Sequence, residues 1–273
     1  MPITRLEIHG VRNITNIKLN PKPKFNLIHG LNGSGKTSML EALYLLGTGK
    51  SFKSNENKRI IQHNMDELRV YSEYSVDNLV EKLGLEKKTD GSKRIQINNS
   101  KKSSLADLAS KLPLHIIPTT SYRLFHDGPK TRRHFIDQGL FHVNHEFIGH
   151  WKQYEYALRQ RNAGLKMRIS NQELMAWNKQ MAESGEAITL MRSDYIQELI
   201  PIINKLYTAF LTGNEMITLE IKQGWGKDRT LSDELQTNHY IDQKCGFTTK
   251  GPHRAELSIT VNNTTPIKDH LSQ

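Results

Sequence analysis

Eight residues constrain this chain more than any others: Gly30-Leu31-Asn32-Gly33-Ser34-Gly35-Lys36-Thr37 satisfies the pattern G-x-x-x-x-G-K-[ST]. Glycine is needed where the backbone curls to point successive N–H groups at phosphate, because a Cβ there would block the approach. Lysine at the seventh position reaches the β and γ phosphates, and the hydroxyl at the eighth offers a ligand to Mg2+. A helix beginning near Lys36 adds its positive N-terminal end to the same anion site. A glycine-rich turn can meet the pattern by chance, so its flanks decide. Phe25–His29 reads as a strand before the loop, and Met39, Leu40, Leu43, Tyr44 and Leu46 repeat at helical spacing after it. Strand, glycine turn and helix in that order predict binding of ATP or GTP, with Thr37 holding the metal.

The remaining periodicities place the loop in an α/β lobe. Ile3–Ile8 alternates as a strand, Asn16–Asn20 reads as a second, and Pro21-Lys22-Pro23 breaks the chain. Residues 68–98 give two or three strands, the last Arg94–Asn98 with Asn98-Asn99 as its turn signal. Ser104–Leu112 is helical and ends at Pro113, and Leu114–Ile117 reads as a buried strand of the same sheet. From Glu146 the composition shifts. Ile148, Trp151, Tyr154 and Leu158 follow helical spacing, and a second run from Leu174 to Phe210 makes a long helical hairpin, with Pro201 a kink. Strand signals return at Met216–Ile221 and Ala255–Val261. The order predicts an ATP-binding α/β lobe from 1–145 and 214–273 with a helical lobe inserted at 146–213.

Lys+Arg 38 against Asp+Glu 28 gives a net charge of +10, which favours a polyanionic partner, nucleic acid above all. A solvated basic surface is the plainer alternative. Mean hydropathy is −0.60. No stretch nears the roughly 18 apolar residues of a spanning helix, and the first ten residues lack the apolar core of a signal peptide. A cytoplasmic protein is expected. The single Cys245 excludes an intramolecular disulfide.

Other constellations carry less. His134, His142, His145 and His150 crowd one segment without cysteine or carboxylate partners at zinc spacing, so they read as surface or packing residues. Arg132-Arg133 can contact phosphate or form internal ion pairs with residues such as Asp137. Lys152, Arg159, Arg161, Lys166 and Arg168 suit either a solvated helix face or DNA backbone contacts. Trp151, Tyr154 and Trp177 read as core of the helical lobe rather than as base-stacking platforms.

Four blocks in order resemble the RecF family of bacterial DNA-repair ATPases. They are Gly30–Lys53, Gly128–His142, Trp151 through Gln160-Arg161-Asn162, and Thr248–Leu257. The resemblance implies an ABC-type ATPase head related to Rad50 and SMC heads. It implies ATP and Mg2+ as cofactors, DNA as ligand, an ATP-dependent homodimer, and work with RecO and RecR to load RecA at gaps. Arg12, within Val11-Arg12-Asn13, and His115 fall near family nucleotide contacts, although the residues around both depart from the family pattern. Leu271-Ser272-Gln273 matches the opening of the family signature, and no apolar strand upstream runs into a Walker B acidic pair. A truncated form that binds ATP but barely hydrolyses it is the resulting expectation, with Asp137 the upstream carboxylate to examine. A nuclease-linked P-loop ATPase of the OLD type and a small-molecule kinase are the rival readings.

Overall fold

The structure, a computed structural model, describes residues 2–54, 56–76, 79–98, 100, 104–210 and 215–270. The chain forms two compact units, Met1–Ile116 and Ile117–Gln273.

The first unit is a five-stranded antiparallel sheet with helices on one face. Strands β1 (Ile3–Val11), β2 (Ile14–Leu19), β3 (Glu67–Val76), β4 (Leu79–Lys88) and β5 (Lys93–Ile97) lie in the order β2-β1-β3-β4-β5. Helices α1 (Lys36–Thr48), α2 (Asn57–Ile60) and α3 (Leu105–Lys111) complete it. Side chains alternate across a pleated strand, so Leu6, Ile8, Leu68, Val70, Tyr74, Leu83, Leu85 and Ile95 share one buried face, packed with Ala42, Leu45 and Leu46 of α1. Exposed arginines and lysines form ion pairs along the strands: Arg5 with Glu7, Lys18 with Glu7, and Arg69 with Glu86. This is the alternation expected of an antiparallel sheet wet on one side. Helix α3 starts in a capping box, in which Asp107 N donates to the Ser104 side chain and Ser104 N to Asp107 Oδ2.

Two expected strands are absent. Phe25–His29 is irregular, with Phe25 and Leu27 about nine-tenths exposed at 91% and 88%. Alternating apolar residues become a strand only beside a partner ladder. β1 already has neighbours on both edges, and no described strand lies against 25–29. The Asn26 side chain instead bonds the Lys22 backbone at both its N–H and its carbonyl, closing a local turn. Leu114–Ile117 is likewise irregular, and Ile117 is exposed.

The second unit packs helices on a three-stranded sheet. Its helices are α4 (Arg123–His126), α5 (Pro129–Val143), α6 (Phe147–Met167), α7 (Asn171–Phe210), α8 (Leu231–Thr237), α9 (His239–Cys245) and α10 (Ile267–His270). Its strands β6 (Ile217–Lys222), β7 (Glu256–Val261) and β8 (Thr265–Pro266) run in the order β6-β7-β8. Helices α6 and α7 form the expected hairpin, and Pro201 lies inside α7. Ile217, Leu219, Leu257 and Val261 of the sheet share one core with Ile136, Leu140, Tyr154, Met181, Ile188 and Ile196 of the helices. That shared core groups the strands after residue 214 with the hairpin, where the sequence reading grouped them with the nucleotide lobe. Tyr154 is fully buried, and Trp151 and Trp177 pack against this core, so the aromatic residues are lobe core as read.

Candidate nucleotide site

The glycine loop has the backbone its composition demands. Gly30, Gly33 and Gly35 adopt φ of 148°, 83° and 93°, all in the region that penalises a Cβ, and Gly35 immediately precedes α1. The Lys36 ammonium curls back over the loop and donates to the carbonyls of Gly30 (2.7 Å) and Leu31 (2.8 Å). Ser34 N–H also points at Leu31 O, at 3.2 Å. The ammonium and the Ser34 N–H therefore converge on Leu31 O, close in sequence to the start of α1, and Thr37 is exposed. Leu31, Asn32, Gly33 and Ser34 are exposed as well. A phosphate oxygen reaching the Lys36 ammonium would replace main-chain carbonyls as its partner, a charge-assisted exchange in the nucleotide's favour.

The turn between β1 and β2 braces this loop from behind. Arg12, at φ 56°, donates from Nε and Nη2 to both Glu41 carboxylate oxygens at 3.0 and 2.9 Å. Its Nη1 donates to Arg59 O, and Ser51 Oγ donates to Glu41. Glu41 is fully buried on the inward stripe of α1, where a bidentate guanidinium supplies its counter-charge and a hydroxyl a further hydrogen bond. Asn13 Nδ2 donates to Gly33 O at 2.6 Å, and Ser38 Oγ donates to Asn13 Oδ1 at 2.8 Å. Sequence reasoning noticed Arg12 and missed Asn13, Glu41 and Ser51. The usable signal was Glu41, an acid on the same helical stripe as Ala42 and Leu45, which cannot be buried unpaired.

Residues 2–121 match the family model described as the RecF/RecN/SMC N terminal domain. A DNA replication and repair protein RecF of Shewanella woodyi is 37% identical over 273 residues, covering 100% of this chain and 74% of its own length. The Vibrio vulnificus protein of the same description is 41% identical over 274 residues, covering 100% of this chain and 76% of its own length. A solved structure of the recombination mediator protein RecF with ATP, from the RecFOR pathway, superposes with a TM-score of 0.90 at 24% identity, covering 98% of this chain and 75% of that one. This chain belongs to the RecF family. Its fold is accordingly the α/β ABC-ATPase-like head of RecF, with the long helical hairpin as the insertion.

The remaining RecF blocks fall in the second unit and turn inward. Arg132 Nε donates to Glu256 at 2.7 Å and its Nη1 to Asp127 O at 2.6 Å, and Arg133 Nη1 donates to Ala255 O at 2.5 Å. Asp137 takes a bidentate pair from buried Arg192, 2.8 Å to each oxygen, so it serves the fold and not a water. The internal reading of Arg132 and Arg133 is the one observed, with Glu256 and a carbonyl as partners in place of Asp137. Arg161, expected on a basic face, is fully buried and meets Asn178, Asp242 and Thr248 at 2.7 Å each. Lys152, Arg159, Lys166 and Arg168 are exposed, as is His115. His253 accepts from or donates to Tyr154 Oη at 2.6 Å, and desolvation together with Arg254 and Arg133 holds its pKa down at about 4. Burial likewise pushes the Tyr154 phenol up. Among the described residues no helix is long and apolar enough to cross a membrane, and no group of three or more His, Cys, Asp or Glu could hold a metal. The signature residues Leu271-Ser272-Gln273 lie outside the described residues.

Proposed function

We propose that this RecF-family chain binds ATP with Mg2+ at Gly30–Thr37 and engages DNA in recombinational repair, in the company of RecO and RecR. The observation that carries the reading is the loop itself. Three glycines in strained φ, a lysine folded over their carbonyls and a helix starting behind it compose an anion cradle built from backbone. Lys36 would pair with the β and γ phosphates and Thr37 Oγ1 would hold the metal, which neutralises phosphate charge when bound. The assignment of Leu31, Asn32 and Ser34 to the cradle follows from their backbone, since N–H groups and not side chains face the phosphates. ATP-dependent pairing of two copies belongs to the same proposal.

DNA binding is supported by the net charge of +10 and by family membership. The contacts would be to phosphate, because no base-reading module is present in the sequence. Neutralising about four phosphates would give a log–log salt slope near −3.6 and a loss on the order of a hundredfold between about 50 and 200 mM salt. Titration of two unrelated duplexes at several salt concentrations, alongside ATP calorimetry on Lys36→Ala, tests both halves. Salt-independent DNA binding, or unchanged ATP affinity in Lys36→Ala, would overturn the corresponding half.

A further inference from the structure

We propose that Asn13 is a positioning residue of the phosphate cradle: its amide holds the Gly33–Ser34 peptide so that Ser34 N–H faces the nucleotide. In a trans peptide the carbonyl and the following N–H point in opposite directions. Asn13 Nδ2 grips Gly33 O at 2.6 Å on the outer side of the loop, and Ser34 N–H emerges on the inner side, aimed at Leu31 O where Lys36 also converges. Fixing one end of the peptide fixes the other.

The amide is itself held in a single orientation. Ser38 Oγ, nearly buried at 8% exposure, donates to Asn13 Oδ1 at 2.8 Å, which leaves Nδ2 as the group that faces Gly33. The amide also lies beside the next glycine, since a Cβ on Gly35 would be in ordinary contact with it, 3.5 Å from both Asn13 amide atoms and 3.4 Å from Ile14. The turn that carries Asn13 is anchored independently. Arg12 is locked to Glu41 on α1, and Arg12 N donates to Ile60 O at 2.8 Å. Asn13 thus sits on a fixed strut and reaches across to the Gly33–Ser34 peptide, the first of the two between the second and third glycine hinges. A free loop would have to freeze this peptide when phosphate arrives, and the Asn13 bond supplies that order beforehand.

The test is ATP and ADP calorimetry on four variants, each first compared with the wild type by circular dichroism and urea unfolding. Asn13→Ala is expected to weaken both nucleotides about five- to tenfold, the range of one lost hydrogen bond. Asn13→Asp keeps the size and the acceptor for Ser38 but cannot donate to Gly33 O, so it must bind no better than Asn13→Ala. Ser38→Ala leaves the donor but frees its rotation, and a loss of about two- to threefold is expected. A residue that only filled space or stabilised the turn would shift the urea midpoint, leave the affinity of the folded protein intact, and tolerate aspartate. Wild-type affinity in folded Asn13→Ala, or in Asn13→Asp, overturns the proposal. The inference rests on Gly30–Thr37 being the nucleotide site, and Lys36→Ala separates the two failures. Loss of binding in Lys36→Ala with none in Asn13→Ala sinks the positioning role alone, whereas no loss in Lys36→Ala sinks both.

Discussion

Replacing Arg161 by methionine should cost the second unit about 4 kcal/mol, and the structure says where that comes from. Arg161 and Asp242 are both fully buried, and their ion pair is 2.7 Å long. The guanidinium also donates to Asn178 Oδ1, Thr248 Oγ1 and, at 3.3 Å, Leu235 O. Methionine approximates the length of the arginine stem, so little cavity opens. What remains is a carboxylate deprived of its counter-charge and three acceptors that each lose a donor. Breaking a buried pair from one side costs about 3–5 kcal/mol, mostly as the penalty of the stranded charge. With a urea slope of about 2–3 kcal/mol per M, the midpoint should fall by about 1.5 M. All three tryptophans, Trp151, Trp177 and Trp225, lie in this unit, so their fluorescence reports its unfolding separately from the nucleotide unit. Asp242→Asn in the Arg161→Met background removes the stranded charge and should recover about 1–3 kcal/mol as coupling between the two sites. A loss below about 1 kcal/mol, or strict additivity of the two substitutions, would refute the reasoning.

Three further outcomes are expected. Lys36→Ala should lose most triphosphate affinity while Lys166→Ala, on the exposed face of α6, keeps it; calorimetry on both, with circular dichroism as the control for folding, decides. His253 is held neutral in the fold, its pKa down from 6.5 to about 4, so the unfolded chain binds the extra proton between those values. That contribution, about 3 kcal/mol, is complete above pH 6.5 and disappears as pH falls toward 4, so the midpoint difference between wild type and His253→Gln should change across that window and be flat above it. Gly10 has φ 67°, and a Cβ there would lie 2.6 Å from Glu67 O of the neighbouring strand. Gly10→Ala should therefore destabilise the first unit by at least about 1 kcal/mol in chemical unfolding, with no small rearrangement available to relieve a backbone clash.

Much of this arrangement was legible in the residues, and the exceptions share a cause. Strands β1 to β5 and helices α1, α3, α6 and α7 follow from period and punctuation, because each buries a face whose spacing is written in its own segment. Phe25–His29 and Leu114–Ile117 carry strand-like apolar patterns but join no ladder among the described residues. Strand formation depends on a neighbour that a local pattern does not encode. Helix α5 was not expected although Pro129 opens its first turn, because only Ile136 and Leu140 of its face are buried and a single pair one turn apart sets no period. Within the site, glycine, lysine and threonine announced themselves. Asn13 and Glu41 did not, since their roles exist only once the β1–β2 turn is laid against α1.

The motif blocks outside the loop divide along the same physical line. Gly128–His142, Trp151–Asn162 and Thr248–Leu257 are far apart in sequence, and all three meet in one polar network of the second unit. Arg132 joins the first block to Glu256, Arg133 to Ala255 O, and Arg161 and Asn162 join the second block to Thr248. Arg192 then ties Asp137 to Pro252 O. Arginines in such blocks invite assignment to phosphate, yet here their guanidinium groups bond inward, to Glu256, Ala255 O, Asp242 and Asp137. The consequence is a division of labour by exposure. Exposed Lys152, Arg159, Lys166 and Arg168 are the cations of this group open to a polyanion, whereas Arg161 and Arg192 bond Thr248 and Pro252 O, and Arg132 and Arg133 bond Glu256 and Ala255 O. Charge-removing substitutions in the first set should flatten the salt dependence of DNA binding and leave unfolding unchanged. Substitutions in the second set should do the reverse, and a variant of Arg161 that lost DNA affinity at full stability would break the division.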